Sequence, residues 1–322
     1  MSGFTVTALT TYVQENADKI YTNAALGAQT IKNLGITIQA GIKSSSQLMN
    51  FVNTAPFQAD TTCGFNASGS STFDNRQLTV TELKWNDTWC PKDLQAKFTS
   101  TKLAAGAQRQ QEVLPFEEVI MGEVMKNLNS QLEYAIWQGD TTNHVFNTNL
   151  KQFNGFLQVL DAASPTYATA TAAVTSANVI SILDEIYETI PAALINNPER
   201  PMITMVGWDV FRALVIAAKT LNYYHFDPAG AYATGEITMP GTGLKVKAVN
   251  GLTNFTGTTN TYKDRMVCTY ADNLVYGTDL EGDYEDARVW YSQDDDNIKG
   301  FIRWKSGVQI ARPAEVISYK NS

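Results

Sequence analysis

Side chains able to do chemistry are few in this chain and scattered along it. The two histidines, His144 and His225, stand far apart. No His-rich zinc pattern and no HExxH helix can be built from them. The three cysteines, Cys63, Cys90 and Cys268, are odd in number and widely spaced, which reads as reduced thiols and not as a disulfide or zinc framework. There is no Gly-Lys dipeptide for a phosphate-binding loop, no GxGxxG and no GxSxG. Two acidic clusters invite a test as calcium loops. Asp279, Glu281, Asp283, Glu285 and Asp286 cluster suitably, but Tyr284 stands where an EF-hand loop needs glycine. Asp294, Asp295 and Asp296 precede Asn297 with no closing glutamate. Both read as solvated turns, with an adventitious cation as the alternative. Asn66, Asn86 and Asn254 open Asn-x-Ser/Thr triplets, which an Asn- and Thr-rich chain generates by chance. No catalytic, cofactor-binding or metal residue is assigned, and the expectation is a protein that is not an enzyme and carries no cofactor.

The elements that would position such residues are more informative. A chain of 322 residues calls for one large mixed domain or two joined intimately. Hydrophobic residues make up 44%, enough to exclude wholesale disorder. The net charge is −8 with no Lys/Arg block, which argues against a sequence-reading nucleic-acid binder. No apolar run approaches a membrane span, and the start, MSGFTVTALTTYV, lacks the pattern of a secretory signal. Synthesis and folding in a cytoplasm are expected.

The stretch Pro115–Gln138 is the strongest helix. Pro115 suits a first helical position, and Glu117 and Glu118 match the positive end of the helix dipole. Phe116, Val119, Ile120, Val124, Leu128, Leu132, Ala135 and Ile136 form one stripe, and Trp137 follows. Gly139 is expected to end it in a left-handed cap. Before this helix, residues 5–53 hold helical patches broken by Gly27, Gly35 and Gly41, a jointed arm with little core of its own or a small helical subdomain packed on the rest. From Pro56 to Lys92 the pattern is that of a long β-hairpin with a flexible tip, its clearest run being Leu78–Trp85. Pro91–Thr99 resembles a short helix. After the long helix, Gly155 turns into Phe156–Leu160, expected to be a strand, and Asp161–Ser176 reads as a linker. Ser176 caps a helix over Ala177–Leu194, facing inward at Val179, Leu183, Ile186 and Ile190 and stopped by Pro191. Strand Pro201–Val206 and helix Trp208–Thr220, with Val210, Leu214, Ala217 and Ala218 inward, open an α/β unit. Strands then follow at Leu244–Val249, Arg265–Tyr270, Asn273–Tyr276, Ala287–Tyr291, Ile298–Trp304 and Val308–Ile310.

In this order the parts resemble the major capsid protein of tailed bacteriophages, the Hong Kong 97 fold, over nearly the whole chain. The local marks are Trp137-Gln138-Gly139-Asp140 closing the helix, Asn154-Gly155-Phe156 after it, and Arg312-Pro313-Ala314-Glu315 before a last strand. The resemblance implies an α+β fold with residues 1–55 as N-terminal arm, 56–92 as an extended hairpin loop lying over a neighbouring subunit, and 93–175 as spine helix and first part of a peripheral domain. Residues 176–243 would form the axial domain, and 244–322 the strand-rich remainder of both. It implies a shell tile assembling with copies of itself into hexamers and pentamers of an icosahedral virion capsid, inside a bacterial cytoplasm. The shell encloses double-stranded DNA without sequence-specific binding. Separate scaffold, portal and decoration proteins are implied partners. No membrane is involved. Some members of the family join a loop lysine covalently to another subunit; no lysine lies between Pro56 and Leu83, so no such cross-link is expected. Phe57, Phe65, Phe73 and Trp85 are the candidate intersubunit contacts. Phe116, Ile120, Val124, Leu128, Leu132 and Trp137 are the expected packing face of the spine helix. Alternatives are an encapsulin-like nanocompartment shell, or a β-rich adhesive or decoration protein of a virion.

Overall fold

The computed structural model describes residues 13, 15–54, 56–59, 64, 67–90, 116–142, 148–169, 172–195, 197, 200–221, 234–239, 241–254, 262–279, 287–295 and 297–321. Two short helices open it, α1 (Ala17–Leu26) and α2 (Gln29–Asn33), then strand β1 (Thr37–Gln39). β2 (Ser45–Thr54), β3 (Ser70–Thr79) and β4 (Thr81–Trp89) precede the long helix α3 (Phe116–Gln138). At 1.5 Å per residue α3 is a rod of about 34 Å. α4 (Phe156–Ala162) and β5 (Thr166–Tyr167) follow, then α5 (Val179–Thr189), α6 (Ala192–Ile195), β6 (Met202–Val206), α7 (Trp208–Thr220), β7 (Glu236–Thr238) and β8 (Lys245–Ala248). The chain closes with β9 (Met266–Tyr270), β10 (Leu274–Gly277), β11 (Ala287–Ser292), β12 (Asn297–Ile310) and β13 (Ile317–Tyr319).

Three sheets result. β5-β13-β9-β6-β8-β7 form one, in which β6 and β8 run parallel across helix α7 as a right α/β unit requires. Its inner face is covered by α5 and α7 through Val179, Leu183, Ile186, Val210, Phe211 and Leu214. β1-β10-β12-β11, with β4 also on β12, form the second. That sheet packs with α1, α2, α3 and α4 in the main core around Ile136, Trp137, Phe156, Ile302 and Trp304. β2 and β3 pair only with each other.

Several expectations change here. Phe156–Ala162 is helix, not strand: Phe156, Leu157 and Leu160 are buried at helical spacing. The strands expected at Ile298–Trp304 and Val308–Ile310 are one 14-residue strand, β12. The hairpin begins earlier than Pro56: Ser45 pairs with Thr79 and Thr54 with Ser70. β4, its expected second arm, instead ladders with β12 from Thr81↔Ser306 to Trp89↔Ile298. The described part of the arm is no free arm, since Ile20, Ala24, Ala25, Ala28, Ile31 and Leu34 lie in the main core. The supposed linker is tied down as well: Thr166 and Tyr167 pair with β13, and Asp161 holds the fully buried Arg265. Helix α5 starts at Val179, so its cap position is Asn178 and not Ser176, and the Asn178 side chain instead accepts the Thr175 N–H at 2.7 Å. The short helix expected at Pro91–Thr99 lies outside the described residues.

Candidate assembly surface

The long helix α3 anchors the site. Met121, Met125, Leu132, Ala135, Ile136 and Trp137 are its buried apolar side chains, while Ile120, Val124 and Leu128 are half-buried. The stripe read from sequence therefore lies one step around the helix from the buried face over its first half, where methionines fill the core. The side chain of Phe116 is outside the described set.

The helix ends in a clasp that joins the two sequence marks. Trp137 packs on Phe156 with ring centroids 5.2 Å apart. Gln138 Nε2 donates to the carbonyls of Gly251 (2.6 Å) and Thr253 (3.0 Å). The Gly155 N–H donates to the Gly139 carbonyl at 2.8 Å, and the Asp140 N–H to that of Leu150 at 2.8 Å. Asp140 accepts the Tyr262 hydroxyl at 2.9 Å, and Asn154 accepts the Thr141 N–H at 3.0 Å. Gly139 does not adopt a left-handed cap. Its reason is space: a Cβ there would lie 2.5 Å from the carbonyl oxygens of Ala135 and Phe153, and one on Gly155 would lie 2.7 Å from those of Ala135 and Trp137.

β2 and β3 form a two-stranded finger. Its register sets Phe51 directly opposite Phe73, with Met49 two pairs away opposite Asn75. Phe51 and Phe73 pack at 4.9 Å, yet Phe73 is 71% exposed and Met49 77%. The opposite face is covered only at the base, where Leu48 and Leu78 meet Ile42, Val80 and Val275. The base is further pinned by ions. Asp279 has a fully buried side chain and takes Lys305 at 3.1 Å and Lys43 at 3.2 Å. Burial opposes its ionisation, but the hydrogen bonds from Lys305 and Lys43 prevail and hold its carboxyl below the usual range. Phe57, beyond β2, is fully exposed. Phe65 lies outside the described residues. Trp85 is not on the finger: it sits on β4, half-buried against the main core, 5.8 Å from Trp89.

Beside the finger base, α3 and the strands β4 and β12 enclose a groove of about 740 Å³ lined by Trp85, Val124, Leu128, Gln131, Phe153 and Trp304. Trp304 is 6% exposed and its indole N–H has no hydrogen-bond acceptor among the described residues. β4 pairs with β12 on one side, and its other edge has no strand partner among the described residues. These features suit an extended polypeptide.

Asp295 is bonded to Lys299 and Ser292, and Cys268 is buried, its thiol pushed up to about 12 by desolvation. Among the described residues no group of three or more His, Cys, Asp or Glu is placed to hold a metal ion. No described helix is long and apolar enough to cross a membrane. His144, His225, Cys63, Glu281, Asp283, Glu285, Asp286 and Asp296 fall outside the described residues.

No protein-family model matches the sequence, and no curated protein matches it. Solved structures do match. A chain of the satellite phage P4 procapsid superposes with a TM-score of 0.58 at 12% identity, covering 97% of this chain and 90% of its own. The capsid of an empty GTA particle gives 0.58 at 10% identity, covering 93% and 90%. The capsid of cyanophage P-SCSP1u gives 0.52 at 16% identity, covering 90% and 87%. The chain thus has an α+β fold shared with phage and GTA capsid chains, across almost its full length.

Proposed function

We propose that this chain is a major capsid protein of a tailed bacteriophage, a non-enzymatic tile of the Hong Kong 97 type that assembles with copies of itself into an icosahedral shell around double-stranded DNA. The observation that carries the reading is the finger. An apolar face bearing Met49, Phe51 and Phe73 projects into solvent on an element with almost no core of its own, in a chain whose fold is that of capsid shells. Isolated two-stranded ribbons are marginal in water and gain stability when a partner covers them. β3 runs almost directly into β4, separated only by Val80, so the finger is tied at its base to a strand that walls the groove of its own copy. The groove of a neighbouring copy offers apolar side chains, an open strand edge and an unused indole donor. A contact of this head-to-tail kind closes into rings, as hexamers and pentamers require.

In this reading α3 is the spine helix, the β5–β13 sheet with α5 and α7 belongs to the axial domain, and the β12 sheet belongs to the peripheral domain. Partners are further copies, with separate scaffold, portal and decoration proteins. The site of assembly is the bacterial cytoplasm, and the final location is the virion. DNA is confined by the closed shell and not by affinity, consistent with a chain of net charge −8.

Negative-stain microscopy of the purified recombinant protein tests the reading. Shells, rings or tubes are expected; a monodisperse monomer at all concentrations overturns it. Deleting residues 60–75 should leave a folded subunit that makes no shells. Boiled particles should run as a single band in SDS, since no lysine lies between Pro56 and Leu83 for a covalent link.

A further inference from the structure

The sheet of β4, β12 and β11 has one face in the main core and the other in solvent. Burial alternates along β12: Ile298, Ile302 and Trp304 turn inward, and Lys299, Phe301 and Arg303 turn outward. Directly opposite residues of antiparallel strands share a face. The register therefore adds Lys84 opposite Arg303, Arg288 opposite Phe301 and Trp290 opposite Lys299. The half-buried Phe301 sits among four cations. Lys299 and Arg303 flank it on its own strand, the Arg303 guanidinium 5.1 Å from the ring centroid. Arg288 faces it from β11, and Lys84 lies diagonally on β4.

The acids of this face stand at its margins and are engaged. Asp295 is bonded to Lys299, and Glu82 lies 3.9 Å from Lys305, which Asp279 also holds. Lys84 makes no ion pair among the described residues. Like charges directly opposite in a sheet repel, and Lys84 with Arg303 is such a pair. The chain as a whole has a net charge of −8, so its remaining surface is more negative still.

Helix α5 carries the feature of opposite sign. Val179, Ile182, Leu183 and Ile186 are its buried side, and its exposed side bears Asp184 and Glu188, one turn apart. Like charges at that spacing repel, and acids near a helix C-terminus oppose the dipole. No basic residue stands in the last turn, and neither acid makes an ion pair among the described residues. The two faces belong to different cores, the sheet to the main one and α5 to the one it shares with α7.

We infer that the outer face of β4, β12 and β11 is an interaction surface for a second copy of this chain, and that it receives the acidic side of that copy's α5. The contact rests on the self-assembly proposed above and adds a charged seam separate from the finger. Each cluster repels itself in the lone subunit, and the contact sets each against its opposite. Two different surfaces meet, so the contact is head-to-tail and repeats around a ring. Phe301 and Trp290, the latter 44% exposed, give it an apolar centre with ions around it. Charge pairing of this kind acts chiefly on encounter rate and on orientation.

Light scattering of the assembling full-length protein in sodium chloride tests this. Copies of net charge −8 repel one another at a distance, so screening speeds assembly if the finger alone joins them. With opposed charged faces the sign reverses. Raising the salt from about 0.05 M to about 0.5 M should slow the wild type by about tenfold. At low salt, Lys84→Glu with Arg303→Glu should slow assembly by about tenfold or more, and so should Asp184→Lys with Glu188→Lys. All four substitutions together exchange the signs of both faces and should return the rate to within about threefold of the wild type. Wild-type assembly that quickens with salt overturns the inference, as does either reversed pair assembling at the wild-type rate. So does a fourfold variant that stays slow while its urea midpoint matches the wild type. If the reversed sheet alters only retention on double-stranded DNA, the face serves a nucleic acid and the inference falls. All these outcomes leave the capsid reading standing. A wild type that forms no assembly at any salt sinks that reading, and this contact with it.

Discussion

Two aromatic pairs of nearly equal geometry face opposite worlds in this molecule. Trp137 and Phe156 pack at 5.2 Å with both side chains sealed in the main core, and Phe51 and Phe73 pack at 4.9 Å with both in solvent. The first pair has its indole N–H matched, its flanking glycines fitted and its neighbours drawn from three segments. The second has only its own strand pair. Similar side chains thus do different work. The body completes itself within one chain, and the finger carries apolar surface that one chain leaves uncovered.

Substitutions can break this contrast in order of their effect on the lone subunit. Trp137→Ala removes a buried ring and the donor to Thr30, and should cost about 4 kcal/mol in urea unfolding. Asp161→Asn leaves Arg265 buried without its anion and should cost about 3 kcal/mol by the same measurement. The ion cluster at the finger base gives an acid limb. Because Asp161 and Asp279 are held below the usual carboxyl range, their contribution is present above that range and is lost as pH falls through the lowered values. The melting temperature should therefore drop below about pH 4, and Asp279→Asn should flatten part of that drop. Smallest of all, Phe51→Ser with Phe73→Ser should move subunit stability by no more than about 0.5 kcal/mol. That last pair should nonetheless abolish shells in the microscope. If it unfolds the subunit instead, the finger is part of the body and the contrast fails.

What could be read from the sequence follows the same division. α3, α5, α7 and β6 were legible because each buries one face, and burial is what imprints a period on a sequence. β2 was missed for the converse reason. Ser45–Thr54 is largely uncovered, and of its half-buried positions Ser46, Leu48 and Asn50 only Leu48 is apolar, so its sequence carries no apolar period. Phe156–Leu160 has the i, i+3, i+4 spacing of a helix, yet four apolar residues among five after a glycine read equally well as a strand. Two strands were expected on either side of residues 305–307, but Gly307 lies within β12 where the chain crosses Thr79, with no room for a side chain. The Trp137–Asp140 and Asn154–Phe156 marks were visible as strings. That they interlock backbone to backbone was not, and neither was the burial of Glu133, one of four glutamates in α3.

β12 and β4 lie antiparallel over nine consecutive pairs, and Val80 alone separates β4 from β3, which is laddered to β2 over ten. A tug on the finger tip is therefore handed through a single residue from a ten-pair ribbon to a nine-pair seam on the 14-residue strand of the body.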